Sequence, residues 1–346
     1  MESNKQRRYF AASNSADGFI NYFPPIFSEC QKLYVIKGGP GTGKSCLMKQ
    51  VAARAEAEGY SVTYYACSSD PDSLDGIRIE EMNVGLLDAT APHVWEPREI
   101  GTVEQLIDLG AFWDSDYLSA RREEIRGMSE KKRARYQSAY RYLAAHGQVM
   151  RAVADEMASV VDFDKLNRAA ERLVKKHGEE SGTYCERIGI CDSVSMRGRV
   201  RLDTYEAMAD TLYTVEDHGG VAHWFLEAIY ENCRRRGVGT LVSRNAILPE
   251  RVDALTMCAT GVTFSQSGSG VAIHMRRFVK EDRYRAIRSE IRKKRAVGER
   301  LLDLAIGELA SVRKHHFALE AIFSEAMDFC AKERFTSSLC KKIFGE

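Results

Sequence analysis

The N-terminal third of the chain alternates short apolar runs with an amphipathic stripe. Residues 33–36 (LYVI) have the length and composition of a buried strand. A helix is predicted after them, because apolar side chains recur at helical spacing at Leu47, Met48, Val51, Ala52 and Ala55. Residues 61–66 and 83–88 are further β-rich runs, and Gly59 is placed to end the helix before the first of them. This pattern predicts an α/β fold.

Two charged segments with few turn residues follow two strand-rich regions. Residues 115–176 are rich in Arg, Lys, Glu and Ala, and Asp164 is predicted to cap a helix there that Gly178 ends. Strand-like patterning returns near Cys185, and the chain from Lys280 onwards is again helical and charged. We therefore predict an α/β domain over 1–114, a helical subdomain over 115–182, a second α/β domain over 183–278 and a helical segment over 279–346.

This alternation suggests an internal duplication. Adding 178 to a residue number in the first half gives an identical residue in the second at five positions: Gly41, Gly59, Pro71, Asp75 and Val84 become Gly219, Gly237, Pro249, Asp253 and Val262. The apolar helical stripe keeps its pattern and becomes Phe225, Leu226, Ile229, Tyr230 and Cys233. We predict two tandem α/β halves, each followed by a helical segment.

The loop between the first strand and helix has the sequence GGPGTGKS at 38–45, which matches the GxxxxGKS pattern of a phosphate-binding P-loop. Glycines allow backbone amides to converge on phosphate oxygens, and the start of the helix adds its positive dipole end. Lys44 is expected to reach the β- and γ-phosphates. The predicted nucleotide-binding residues are Gly38, Gly39, Pro40, Gly41, Thr42, Gly43, Lys44, Ser45 and Cys46.

Candidate catalytic and metal-binding groups surround this loop. Ser45 presents a hydroxyl to Mg²⁺, and Asp88, which ends an apolar strand, is a Walker B candidate that can hold a water of the Mg²⁺ shell. Asp70, in the acidic loop after the second strand, is a candidate for orienting the attacking water, with a solvated turn as the alternative. His93 either senses the γ-phosphate or is an ordinary loop histidine. The predicted catalytic residues are Lys44, Asp88 and Asp70.

The second half lacks these groups at the corresponding positions. Lys44, Ser45 and Asp88 correspond to Ala222, His223 and Gln266. Glu216 and Asp217 place negative charge where a phosphate would bind. We therefore predict one working nucleotide site, in the N-terminal half.

The P-loop at 38–45, the segment CSSDPDSLDG at 67–76 and the segment DATAPH at 88–93 together resemble a family of bacterial ATPase-like proteins of unknown function with tandem P-loop halves. The likeness is clearest from Tyr9 to Asp114. The resemblance implies ATP binding and does not imply a particular substrate. This chain departs from the family, in which the second half often keeps a P-loop.

Charge, apolar runs and cysteine spacing disfavour several classes of function. With 50 Lys and Arg against 49 Asp and Glu in 346 residues, the net charge is +1, which disfavours nucleic acid as a partner. The basic face formed by Arg285, Arg288, Arg292 and Arg295 is interleaved with acids and predicts a solvated surface. No signal-peptide core or 18-residue apolar run occurs, so we expect a cytoplasmic protein with no membrane partner. The nine cysteines contain no C-x-x-C pair and predict reduced thiols, with no metal other than Mg²⁺.

These features predict a Mg²⁺-dependent, ATP-binding protein that is a slow ATPase or a nucleotide-dependent switch. ATP is favoured over GTP because the base-reading pattern N-K-x-D is missing. Hydrolysis is expected to be slow, since Ala89 and Thr90 follow Asp88 where many ATPases have a glutamate. A P-loop kinase acting on a small acceptor and a nucleic-acid-dependent ATPase remain open. A protein partner could bind through the helical segments.

Overall fold

Two mixed sheets of six strands form the framework of the protein. The computed structural model describes residues 6–180 and 183–345. In the first half the strands are β1 Arg7–Phe10, β2 Ala12–Ser15, β3 Gly18–Asn21, β4 Lys32–Lys37, β5 Val62–Ala66, β6 Leu74–Ile79, β7 Val84–Asp88 and β8 Glu104–Asp108. In the second half they are β9 Glu186–Ile188, β10 Asp192–Ser195, β11 Gly198–Arg201, β12 Thr211–Glu216, β13 Thr240–Arg244, β14 Val252–Met257, β15 Val262–Ser265 and β16 Val271–His274.

Helices connect and follow the strands of each sheet. In the first half they are α1 Phe23–Phe27, α2 Lys44–Ala57, α3 Ser115–Ala120, α4 Arg122–Ala158 and α5 Phe163–His177. In the second half they are α6 Thr204–Ala207, α7 Ala222–Arg235, α8 Glu281–Glu325 and α9 Phe329–Phe344. No helix among the residues that the structure describes has the length and apolarity needed to cross a membrane.

The two sheets have the same topology. The order is β1-β5-β6-β7-β4-β8 in the first and β9-β13-β14-β15-β12-β16 in the second. In each sheet one strand, β6 or β14, is antiparallel to both of its neighbours, and the other pairings are parallel. Helices α2 and α7 begin and end 178 positions apart, as do β5 and β13.

The helices that follow each sheet pack on the sheet of the other half. The end of α4 and α5 contribute Val153, Met157, Leu166 and Val174 to the apolar core that surrounds α7. In return, α9 contributes Leu339 to the core that surrounds α2, with Phe335 and Ile343 packed against it. Burial of these apolar side chains stabilises the exchanged arrangement, at about 25 cal/mol per Å² of apolar area removed from water.

Long helices α4 and α8 run along each other and link the two sheets. Their ends are held by paired hydrogen bonds: the amide of Asp114 donates to the carbonyl of Ala326, and the amide of Lys280 donates to that of Val160. Adding 166 to the donor position 114 gives the other donor position, 280, and adding 166 to the acceptor position 160 gives the other acceptor position, 326. The helical segments are therefore related in the same way as the sheets, with an offset of 166.

The expectation of an α/β protein with two halves, each followed by helices, is confirmed. Three local features differ from the predictions. Asp162, not Asp164, caps α5, because its carboxylate accepts from the amide of Lys165. The expected acidic loop ends at Leu74, where β6 begins. Strand β1 and the β2–β3 hairpin were not predicted from the pattern. All nine cysteines are free thiols.

Candidate functional site

The loop between β4 and α2 needs glycine at two positions. Gly41 and Gly43 have φ angles of 72° and 83°, in the left-handed region that glycine adopts without a Cβ clash. A Cβ on Gly41 would also lie 2.5 Å from the carbonyl oxygen of Glu320 in α8. The structure records no hydrogen bond from the amides of Gly41, Thr42 and Gly43 to any described residue. These donors are available to an anion at the start of α2.

Lys44 and Asp88 meet at this loop. Strands β4 and β7 are parallel neighbours with Ile36 opposite Asp88, which brings the carboxyl ends of both strands to one edge. Nζ of Lys44 lies 3.6 Å from the Asp88 carboxylate and donates to the carbonyl oxygens of Gly38 at 2.9 Å and Gly39 at 2.7 Å. An ammonium and a carboxylate at the mouth of a glycine loop can bind an anion together with a cation.

Three hydroxyl groups line or brace the same loop. Ser45 Oγ, in the first turn of α2, accepts from the amide of Leu74 at 3.0 Å. Thr42 Oγ1 donates to the carbonyl of Gly39, and Thr90 Oγ1 donates to the carbonyl of Gly38, both at 2.9 Å. The Ser45 hydroxyl and the Asp88 carboxylate are oxygen ligands of the kind that Mg²⁺ takes. Of the other predicted site residues, Pro40 lies in the turn of the loop and is half-buried, and Cys46 is exposed on α2.

Asp70 is tied to the second half of the molecule. Its carboxylate lies 3.4 Å from Nε of Arg197, in the β10–β11 hairpin, and accepts from Ser73 Oγ. Arg197 also contacts the exposed Asp72. The predicted water-orienting carboxylate is therefore engaged by an arginine and anchors the acidic loop on the opposite hairpin.

A buried carboxylate that was not among the predicted site residues lies close to Asp88. Asp75 is 2% exposed; burial raises the pKa of its carboxyl, Asp88 raises it further, and His93 partly opposes these effects. Its counterpart Asp253 is also buried and accepts from the side chain of Asn245. The sequence did contain a signal for this carboxylate, because aspartate occurs at both of the corresponding positions, 75 and 253.

His93 lies inside the protein, against Asp75. It is 6% exposed, its Nε2 is 3.2 Å from the Asp75 carboxylate, and its ring stacks on Phe23 at 5.2 Å. Cys67 completes a group of three side chains whose donor atoms lie within 4.8 Å of one another. Burial raises the pKa of the Cys67 thiol, and Nδ1 of His93 has no partner among the described residues. The contacts are those of a core histidine.

Helices from the second half cover the glycine loop. A Cβ on Gly39 would meet the ring of Phe323, and Ser324 Oγ donates to the carbonyl of Gly41 at 3.1 Å. Lys332 in α9 is 2% exposed, and its Nζ lies 3.7 Å from where a Cβ on Gly43 would be. Sequence reasoning missed these residues, because nothing local in the chain relates α8 and α9 to the loop.

The corresponding loop of the second half carries its own anion. The carboxylate of Asp217 accepts from the amides of Gly220 at 2.9 Å and Ala222 at 3.0 Å. It also lies 3.8 Å from Nη2 of Arg295 in α8. The amide of Thr42, which has no hydrogen-bond partner among the described residues, corresponds to the amide of Gly220, which the Asp217 side chain satisfies. By charge repulsion, the Asp217 carboxylate opposes binding of a second anion at this loop.

Comparison with known proteins gives one limited likeness. A family model described as Nephrocystin 3, N-terminal, matches residues 26–78, which run from the end of α1 into β6 and include the glycine loop. The match covers less than half of the chain and is a weak hint of an NTPase-like family. No curated protein and no solved structure is significantly similar to the chain.

Proposed function

We propose that this protein is a Mg-ATP-binding P-loop protein, of the kind with tandem P-loop-type halves, that acts as a slow ATPase or nucleotide-dependent switch. The observation that carries the proposal is the meeting of Lys44 and Asp88, 3.6 Å apart, at the mouth of a glycine loop between β4 and α2. Lys44 and the loop amides would bind the phosphates, and Ser45 and Asp88 would hold Mg²⁺ and its waters.

Slow turnover is supported by the residues around the proposed phosphate site. Ala89 and Thr90 follow Asp88, so no glutamate stands beside it to activate water. Asp70 is paired with Arg197, which leaves this carboxylate poorly placed to serve as a base. Catalysis would then depend on positioning and charge stabilisation alone. A switch role is supported by α8 and α9, which contact the loop and would respond to its occupancy.

Asp88→Asn should weaken binding of Mg-ATP without weakening binding of metal-free ATP. We expect Mg-ATP affinity to fall about tenfold, because a charge-assisted interaction with the metal shell is worth about 1.5–3 kcal/mol. Affinity for ATP in the presence of EDTA should stay the same or rise, since the variant removes a negative charge near the phosphates. Titration calorimetry with and without Mg²⁺ measures both values. Asp72→Asn, an exposed acid in the neighbouring loop, is the control and should change neither.

Activity assays on the purified wild-type protein distinguish the ATPase from the two alternative functions. Phosphate release from ATP without an added acceptor supports the ATPase. A phosphorylated product that requires an added metabolite would identify a P-loop kinase instead. Stimulation by DNA or RNA that is lost on charge reversal of the exposed Arg288 and Arg292 would identify a nucleic-acid-dependent ATPase. An Asp88→Asn variant with unchanged Mg²⁺ dependence would contradict the proposed metal site.

A further inference from the structure

One lysine of the helical segment contacts α8 one turn before Glu320, the residue of α8 that lies against Gly41 of the glycine loop. Lys132 lies in α4, and its Nζ is 3.2 Å from Nδ1 of His316 in α8. It is close enough to Lys44, Cys67 and Glu320 to interact with them electrostatically, and burial lowers its pKa. Lys132 forms no ion pair with a carboxylate in the part of the chain that the structure describes.

The nearby acid is already engaged. Nε2 of His316 lies 3.5 Å from the Glu320 carboxylate, and this contact holds the pKa of Glu320 below its ordinary value. A lysine that donates to a histidine nitrogen keeps two of its three donors free. The positive charge of Lys44 also contributes to lowering the pKa of Lys132, so the two ammonium groups repel each other. An anion between these two ammonium groups would remove the repulsion and take the free donors.

The second half shows how a helix cation and an anion meet at such a loop. There the carboxylate of Asp217 accepts from the loop amides, and Arg295 of α8 approaches it from the helical segment. Asp217 corresponds to Gly39 with the offset of 178, so the first half has no carboxylate of its own at this place. A ligand phosphate there would take the position that the Asp217 carboxylate has in the second half.

The polar group around Lys132 is specific to the first half. With the offset of 166, Lys132 corresponds to Gly298, and His316 and Glu320 correspond to Met150 and Ala154. The correspondence is visible in the packing, since a Cβ on Gly298 would meet Sδ of Met150 at 3.1 Å. The half whose loop is filled by a side chain therefore has apolar or small residues where the other half has Lys132, His316 and Glu320.

We propose that Lys132 contacts the terminal phosphate of a nucleoside triphosphate bound at the 38–45 loop and so reports the γ-phosphate to the α4–α8 helix pair. This inference rests on the proposed function. When the γ-phosphate is present, Lys132 donates to it and its contact with His316 weakens. When the diphosphate is bound, Lys132 returns to His316. The contact between α4 and α8 at Lys132 and His316 would therefore differ between the triphosphate-bound and diphosphate-bound states.

The test compares ATP with ADP in the same variant, by titration calorimetry in Mg²⁺. We expect Lys132→Met to weaken binding of a non-hydrolysable ATP analogue about tenfold, the size of one charge-assisted contact, and to leave ADP affinity within about twofold. Lys132→Arg should keep most of the triphosphate preference. Lys131→Met, an exposed neighbour on α4, is the matched control and should behave as the wild type.

Retention of the wild-type ratio of triphosphate to diphosphate affinity in Lys132→Met would overturn the inference. Binding of ADP shows that the variant is folded, and Lys132→Gln replaces it if the methionine variant does not fold. Should the wild type bind neither nucleotide, the proposed function itself fails, which is a different result from a retained ratio.

Discussion

Lys44→Ala is expected to abolish tight Mg-ATP binding. The ammonium of Lys44 lies at the mouth of the loop, where it now donates to two loop carbonyls and faces Asp88. Phosphate oxygens would take over those donors, and two charge-assisted contacts of about 1.5–3 kcal/mol each correspond to a loss of at least about a hundredfold in affinity. Titration calorimetry of the variant beside the wild type measures the loss.

Lys49→Ala provides the control for this experiment. Lys49 lies on the same helix, is exposed, and among the described residues donates only to the carbonyl of Asp72. Its removal should leave nucleotide affinity unchanged. Thermal unfolding of both variants checks that the fold is retained. Unchanged Mg-ATP binding in Lys44→Ala would sink the assignment of the loop as the nucleotide site.

The second half should not gain a site when lysine is restored. In Ala222→Lys we expect one nucleotide per chain, as in the wild type, because the Asp217 carboxylate already takes the amides of Gly220 and Ala222. A new phosphate would have to displace a tethered anion and then meet its negative charge. Calorimetric stoichiometry gives the answer, and two nucleotides per chain in this variant would contradict the explanation.

The fold was predicted best where the signal was local. The β4–loop–α2 unit follows from an apolar run, a glycine motif and a helical stripe that are contiguous in the chain. Strand β6 was not predicted, because the turn-rich run at 70–73 leads directly into it. Asp75 and Gly76 also interrupt the apolar pattern of the strand. The capping of α5 by Asp162 was missed because two aspartates two positions apart satisfy the same pattern.

The candidate site was predictable only on its loop side. The parallel pairing of β4 and β7 brings Asp88 to Lys44, and a strand ending in a carboxylate is visible in the sequence. The covering side chains Phe323 and Lys332 come from helices whose own patterns carry no mark of the loop. Their placement depends on the exchange of helices between the halves, which is a tertiary property. A single sequence does not encode that pairing in any local spacing.

Gly41→Ala is expected to lose both nucleotide binding and stability. The φ angle of 72° is costly for a residue with a Cβ, by about 1–2 kcal/mol. The new methyl would also lie 2.5 Å from the carbonyl oxygen of Glu320, which is helix backbone and cannot move without shifting α8. We therefore expect a total loss of about 2–4 kcal/mol in the free energy of unfolding. Urea denaturation measures it.

Gly219→Ala separates backbone strain from function, because Gly219 corresponds to Gly41 with the offset of 178 and has nearly the same φ angle. Gly219 has a φ angle of 73°, but its methyl would meet Cε of Met157, the flexible end of a side chain. We expect a smaller loss of about 1–2 kcal/mol and unchanged Mg-ATP affinity. In Gly41→Ala the distorted loop can no longer direct its amides to phosphate, so affinity should fall at least about tenfold. Equal nucleotide affinities in the two variants would show that ATP binding does not depend on the geometry of the first loop. A loss of affinity in Gly41→Ala alone would assign binding to the loop that α8 covers.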